Sequence, residues 1–233
     1  MQNETFYTRT EMVFSSAGVE NLKNSHVAVF GLGGVGSYAV ESLVRSGVGA
    51  LTIVDFEEYS PSNLNRQLYA TLNTIGVKKV DACKNRILEI NKDLKVYTHD
   101  LFISAETLKD IDFCKFDYVI DAIDTVSGKL EIIKKAKQNG VKVISAMSAG
   151  NKLDATAFKV SDIKDTKTCP LCKVMRKLLK EQGIDGVKVV YSEEQPVKPI
   201  SNDENASKQI ASVSFVPSVM GLILSAEVIK DLA

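Results

Sequence analysis

The stretch Val27-Ala-Val-Phe-Gly31-Leu-Gly33-Gly34-Val-Gly36-Ser37 decides the reading of this chain, because it joins a short apolar run to glycines in GxGxxG spacing. Glycines let the backbone turn tightly out of a buried strand and approach phosphate without side chains in the way. The N–H groups that open the next helix then point at an anion. About 20 residues on, the apolar run Leu51-Thr-Ile-Val54 ends at Asp55, placed to accept hydrogen bonds from a ribose. Strand, glycines, helix, strand and acid in this order predict a Rossmann-like nucleotide-binding half.

Outward from that core, strand and helix patterns alternate. They run through Val27–Phe30, Val35–Ser46, Leu51–Asp55, Lys79–Ile90, Lys95–Thr98, Tyr118–Asp121, Gly128–Gln138 and Val141–Ser145. Alternation of this kind predicts an α/β fold with a doubly wound, mostly parallel sheet. The 233 residues are read as one domain, with residues 1–150 as the nucleotide-binding half. Residues 151–233 are read as an extension that adds further strands and a buried closing helix over Phe215–Ile229. The polar run at 200–210 predicts a mobile connection.

The nucleotide's identity comes from charged residues outside the glycine loop. Asn63-Leu-Asn65-Arg66-Gln67 follows Asp55 closely, and Lys78-Lys79 follows Gly76. An enzyme attacking an α-phosphate must neutralise charge developing on a triphosphate, which Arg66 and Lys79 can do. Asp117-Tyr-Val-Ile-Asp121-Ala-Ile-Asp124 ends an apolar strand in two carboxylates at the edge where α/β ligands collect. Asp124 suits magnesium, which takes one or two carboxylates together with phosphate oxygens.

These residues resemble the ubiquitin-activating-enzyme-like adenylyltransferases, the ThiF/MoeB-type superfamily. The resemblance rests on Gly31 to Ser37, Asp55, Asn63, Arg66, Gln67, Lys79 and the Asp121-x-x-Asp124 pair, and returns at Phe215-Val-Pro217-Ser-Val-Met-Gly221. It implies an ATP site made of Gly31, Gly33, Gly34, Gly36, Ser37, Asp55, Asn63, Arg66, Gln67 and Lys79, with magnesium on Asp124. It also implies a homodimer in which Arg9 serves the partner's ATP site. Within the superfamily, Thr8-Arg9-Thr10-Glu11, Ala149-Gly150-Asn151-Lys152-Leu153-Asp154, Cys169-Pro-Leu-Cys172 and Val189-Val-Tyr191-Ser192 are similar to the tRNA threonylcarbamoyladenosine dehydratases. That family implies adenylation of a threonyl carboxylate by ATP, then ring closure by the neighbouring ureido group with loss of AMP. A nucleophile already attached to the substrate reaches effective molarities of about 10⁵ to 10⁸ M, so no protein thiol is needed.

Cysteine usage agrees. Cys83 and Cys114 read as buried small residues, while Cys169 and Cys172 have the spacing of half a zinc site. A closed site needs four ligands and no second CxxC exists, so structural zinc is not expected. Four unpaired-looking cysteines and no signal peptide point to the cytoplasm, and no run reaches the ~20 apolar residues of a membrane span.

Net charge is zero but unevenly spread. Residues 151–180 carry eight Lys and Arg against three Asp, and residues 181–210 three Lys against six acidic residues. Lys173, Arg176, Lys177 and Lys180 fall on one helix face. Spacing alone fits a solvated face equally well; the resemblance favours tRNA phosphates. Two other readings stay open: adenylation of the C-terminal glycine of a ubiquitin-like sulfur carrier, and an NAD-binding redox or non-catalytic module. A monovalent cation and a docking sulfur-transfer partner also stay open.

Overall fold

The computed structural model describes residues 4–200 and 210–233. Five parallel strands come from the nucleotide-binding half: β1 (His26–Phe30), β2 (Ala50–Val54), β3 (Lys95–His99), β4 (Tyr118–Asp121) and β5 (Lys142–Ala146). Two more come from the extension. β7 (Lys188–Ser192) pairs parallel with β5, and β6 (Phe158–Asp162) lies antiparallel on β7, giving the order β3-β2-β1-β4-β5-β7-β6. The central strands are continuous apolar runs because a parallel sheet is covered on both faces. Val27, Val29 and Ile120 enter one core, while Ala28, Phe30 and Val119 enter the other.

Among the described residues, six α-helices make the covering layers. Helices α1 (Thr8–Asn24), α2 (Gly36–Ser46), α3 (Lys79–Ile90) and α6 (Phe215–Leu232) contribute Leu22, Leu43, Val80 and Leu224 to the first core. Helices α4 (Val126–Gln138) and α5 (Pro170–Glu181) supply Ile132, Met175 and Leu179 to the second. The closing helix is therefore α6, and it approaches α2 closely: a Cβ on Gly221 would lie 2.2 Å from the Val35 carbonyl oxygen. No described helix is long and apolar enough to cross a membrane.

Some expectations need correction. α1 was not expected, and it breaks at Ser15, whose φ of 66° is non-helical. Cys114 is exposed, not buried, and donates to Asn139 Oδ1 at 3.2 Å; Cys83 is buried. The connection expected at 200–210 falls, for residues 201–209, outside the described residues.

One charged cluster lies inside the fold. Asp121 and Lys129 are 0 % and 1 % exposed. Lys129 Nζ donates to Asp121 Oδ2 at 3.1 Å and to the Ala146 carbonyl at 2.6 Å, and Ser145 Oγ donates to Asp121 Oδ2 at 2.5 Å. The cluster fastens β4, α4 and β5 at the end where ligands collect. Asp121, expected at that edge as one of two carboxylates, is thus consumed by the fold. Lys129→Ala would strand a buried carboxylate and should lower stability by about 3–5 kcal/mol. Removing the exposed Lys230, which pairs with Glu227, should cost no more than about 1 kcal/mol. Urea unfolding of the two variants checks the contrast.

Candidate active site

A cavity of about 410 Å³ opens beyond the carboxyl ends of the parallel strands, across β1 and β4 where the strand order reverses. Its floor is the glycine loop. Gly31 has φ +89°, and a Cβ at Gly36 would sit 1.8 Å from the Gly31 carbonyl oxygen, so the turn closes only without side chains there. Gly31, Gly33 and Gly34 line the cavity. Gly36 and Ser37 do not, although the sequence reading placed them on ATP. Gly36 is the turn's steric requirement. Ser37 is fully buried, its hydroxyl donating to the Gly33 carbonyl at 2.7 Å and accepting from the Leu68 N–H at 3.2 Å.

Asp55 stands at the end of β2 and holds the loop from the side. Its Oδ2 accepts from Leu32 N–H at 2.7 Å and its Oδ1 from Glu57 N–H at 2.9 Å. Burial raises its carboxyl above the usual range, opposed by the Lys79 charge and by those two N–H groups. Lys79, the first residue of α3, is 2 % exposed and pairs with Glu57 Oε2 at 2.5 Å. Asn63 is buried, its Oδ1 capping Ser60 N–H at 3.0 Å. Arg66 donates to the Ser62 carbonyl at 2.9 Å and to Asn65 Oδ1 at 2.8 Å. Gln67 is buried, and among the described residues its Oε1 has no hydrogen-bond partner. All of these residues line the cavity, as does Asp124, which makes no ion pair among the described residues.

The sequence reading missed the cavity's apolar walls. Phe56 and Phe102 meet edge to face with centroids 5.0 Å apart beside Leu101 and Ile103, a surface suited to a base. At the other end lie Met147, Ser148, Gly150, Leu171, Ile210 and Ser212. Asn151 holds that end together: its N–H donates to the Ala211 carbonyl and its Oδ1 accepts from the Ala211 N–H, both at 2.7 Å. Asn65 Nδ2 donates to the Ser212 carbonyl at 3.0 Å. Only the adjacency of Phe56 to Asp55 hinted at the base wall, and nothing in the spacing hinted at the role of Asn151.

Two groups assigned parts beyond this cavity, Arg9 to a partner's site and the α5 basic face to tRNA, lie away from it. Arg9 is exposed on α1, 3.7 Å from Glu4. Of the α5 stripe, Lys173, Lys177 and Lys180 are exposed. Arg176 is half-buried and donates to the Thr166 carbonyl at 2.7 Å and to Thr166 Oγ1 at 2.9 Å, so the fold itself holds this guanidinium.

A strand-turn-helix glycine cradle flanked by Asp55 and Lys79 defines the nucleotide-binding crevice of an α/β protein, and the chain belongs to the ThiF family, whose model matches residues 7–233. It is 42% identical to the tRNA threonylcarbamoyladenosine dehydratase of Bacillus subtilis (strain 168), over 97% of this chain and 94% of that one. It is also similar to the E. coli tRNA N6-threonylcarbamoyladenosine dehydratase crystallised with AMP (TM-score 0.88, 29% identity, 96% of this chain and 92% of that one). The same E. coli enzyme crystallised with ATP matches with TM-score 0.87 and 28% identity over 97% and 93% of the two chains.

The Gly31–Gly36 approach makes a sharp prediction. Gly36→Ala forces the turn open, and ATP affinity measured by calorimetry should fall at least about tenfold, ~1.4 kcal/mol.

Proposed function

We propose that this chain is an ATP-dependent tRNA threonylcarbamoyladenosine dehydratase. The likeness to the Bacillus subtilis enzyme over nearly the whole of both chains carries this reading. The cavity supplies its chemistry. A carboxylate oxygen of the threonyl group attacks the α-phosphorus of ATP, and the bond to pyrophosphate breaks. The ureido group beside the resulting acyl-adenylate then attacks the acyl carbon, closes the ring and releases AMP.

Each residue has a part in that sequence. Phe56, Phe102 and Leu101 take the base, Asp55 the ribose, and the glycine loop the phosphates. Asn63, Arg66 and Lys79 face the charge that develops as pyrophosphate leaves. Glu57 shields Lys79 until a triphosphate, the better anion, competes for it. Asp124 fits magnesium as the carboxylate of this end not already engaged, since Asp121 is bound to Lys129. Such an ion supplies Lewis-acid stabilisation of phosphate charge. The apolar far end, with Met147, Leu171 and Ile210, keeps water from the activated acyl group. We further assign a cytoplasmic homodimer in which Arg9 reaches the partner's site, and tRNA phosphates to the exposed face of Lys173, Lys177 and Lys180.

Nucleoside mass spectrometry of tRNA from a strain lacking this protein tests the reading directly. The cyclised adenosine should disappear and its open precursor accumulate; unchanged tRNA refutes it. Pyrophosphate exchange driven by a ubiquitin-like carrier protein, and not by modified tRNA, would favour the carrier-activating alternative.

The subunit arrangement is tested by mixing. Asp124→Ala should cut pyrophosphate exchange by orders of magnitude, because metal stabilisation is worth several kcal/mol. Mixing it with inactive Arg9→Ala subunits should restore exchange through one complete site per heterodimer; a mixture still inactive after verified subunit exchange removes Arg9 from a role in trans.

Salt dependence tests the tRNA face. Changing Lys173, Lys177 and Lys180 to Gln should weaken tRNA binding and flatten its salt slope by about one unit for each phosphate no longer neutralised, with ATP binding unaltered. Arg176→Gln should instead lower stability, because its partners are Thr166 and Ile163.

A further inference from the structure

Arg66 is held by a chain of hydrogen bonds that reaches it from the far end of the cavity. Its stem lies against the glycine loop, where a Cβ on Gly34 would stand 3.2 Å from Arg66 Cγ. Its Nη1 donates both to the Ser62 carbonyl at 2.9 Å and to Asn65 Oδ1 at 2.8 Å, while Nε and Nη2 donate to none of the described residues. A guanidinium is a rigid planar fork, so two acceptors on one nitrogen and a packed stem fix its plane and leave the other nitrogens for an anion.

Asn65 offers Oδ1 to Arg66 because of what holds its other end. Its Nδ2 donates to the Ser212 carbonyl at 3.0 Å, across 147 positions of sequence, and this bond decides which way the amide faces. Asn65 is exposed, so packing does not hold that amide. Ser212 is placed in turn by its neighbours. Asn151 takes a left-handed φ of +57° and clasps Ala211 twice, its N–H donating to the Ala211 carbonyl and its Oδ1 accepting from the Ala211 N–H, both at 2.7 Å. Ile210 lies over Gly150, where a Cβ would come within 2.1 Å of Ile210 Cγ2. The Val197 N–H donates to the Asn151 carbonyl at 2.8 Å and anchors Asn151 itself. Gly150, Ile210 and Ser212 line the far end of the cavity, and Arg66 lines it beside the glycine loop.

We propose that Asn65 and Asn151 are positioning residues for Arg66, joined through Ala211 and Ser212 into one chain that sets the plane in which Arg66 meets the triphosphate. Neither asparagine lines the cavity, so each acts through the guanidinium. A shift of Ala211 or Ser212 therefore reaches Arg66, and the two sides of the cavity are energetically coupled. That the anion is a triphosphate rests on the function proposed above; the chain of bonds does not.

Calorimetry of ATP with the full chain tests this as a double-mutant cycle. Arg66→Ala should weaken ATP binding about thirtyfold, the loss expected for a hydrogen bond from a charged group. Asn151→Gly removes the Oδ1 clasp without straining a left-handed φ, and should weaken it about fivefold. Added to Arg66→Ala, the same change should alter affinity by less than about twofold. Asn151→Asp keeps the acceptor and tolerates the same φ, so its affinity should stay within about twofold of the parent's. Asn65→Ala, at an exposed position, repeats the cycle from the middle of the chain and decides the matter if Asn151→Gly lowers the folded fraction. Unaltered ATP affinity in Arg66→Ala or in either asparagine variant, or a loss that is the same with and without Arg66, overturns the proposal. The cycle uses no tRNA: if it comes out as expected while modified tRNA drives no pyrophosphate exchange in the parent protein, it is the proposed function that fails.

Discussion

Two peptide units, at Gly31 and Gly36, pass so closely that a single methyl group would not fit between them, and the site is organised around that crossing. It turns the chain from β1 into α2 within a few residues, which brings the helix start to the crevice between β1 and β4. Asp55 then fixes the loop by accepting from the Leu32 N–H, so the carboxylate at the end of β2 also braces the glycine cradle. Ser37 locks the loop from below through Gly33 and Leu68. A change at any of these points acts on nucleotide binding by moving the backbone that carries the cradle.

Two buried lysines show how the same residue type serves opposite ends. Lys129 is sealed between Asp121 and the Ala146 carbonyl, so its charge is fully spent on joining strands. Lys79 is as deeply buried, yet its partner Glu57 is half exposed and borders the cavity. A charge that can exchange one anion for another is useful to catalysis, and a charge that cannot is useful to the fold. Burial alone does not separate the two; the accessibility of the partner does.

Much of the first half was legible in the sequence because parallel strands covered on both faces must be continuous apolar runs. The segments around Val27, Leu51, Tyr118 and Val141 carry that signature and lie where it placed them. β6, Phe-Lys-Val-Ser-Asp, carries none, since an edge strand with exposed Lys159 and Val160 has little to bury. α1 escaped because its break at Ser15 divides a weak periodicity. At the site, residues named by chemical type, such as Asp55, Lys79 and Asp124, were found at the cavity, whereas Gly36 and Ser37 share the motif but serve its geometry. Spacing placed Arg176 on the lysine face yet said nothing of Thr166, which lies off the helix and claims it. Lys129 left one trace: a lysine in register with Ile132, Ile133 and Ala136 on an apolar stripe needs a buried partner.

The cavity draws on nearly the whole length of the chain, from Gly31 to Pro217, and α6 presses Pro217 to within 3.3 Å of where a Cβ on Gly34 would be. Domains begin folding from their N-terminal side during synthesis. The glycine loop therefore leaves the ribosome long before the helix that completes its surroundings. A nascent chain with every strand already made still lacks the wall that Ile210, Ser212 and Pro217 provide. A ligand held by this whole lining stabilises the form that binds it, so it favours finished molecules over partial ones.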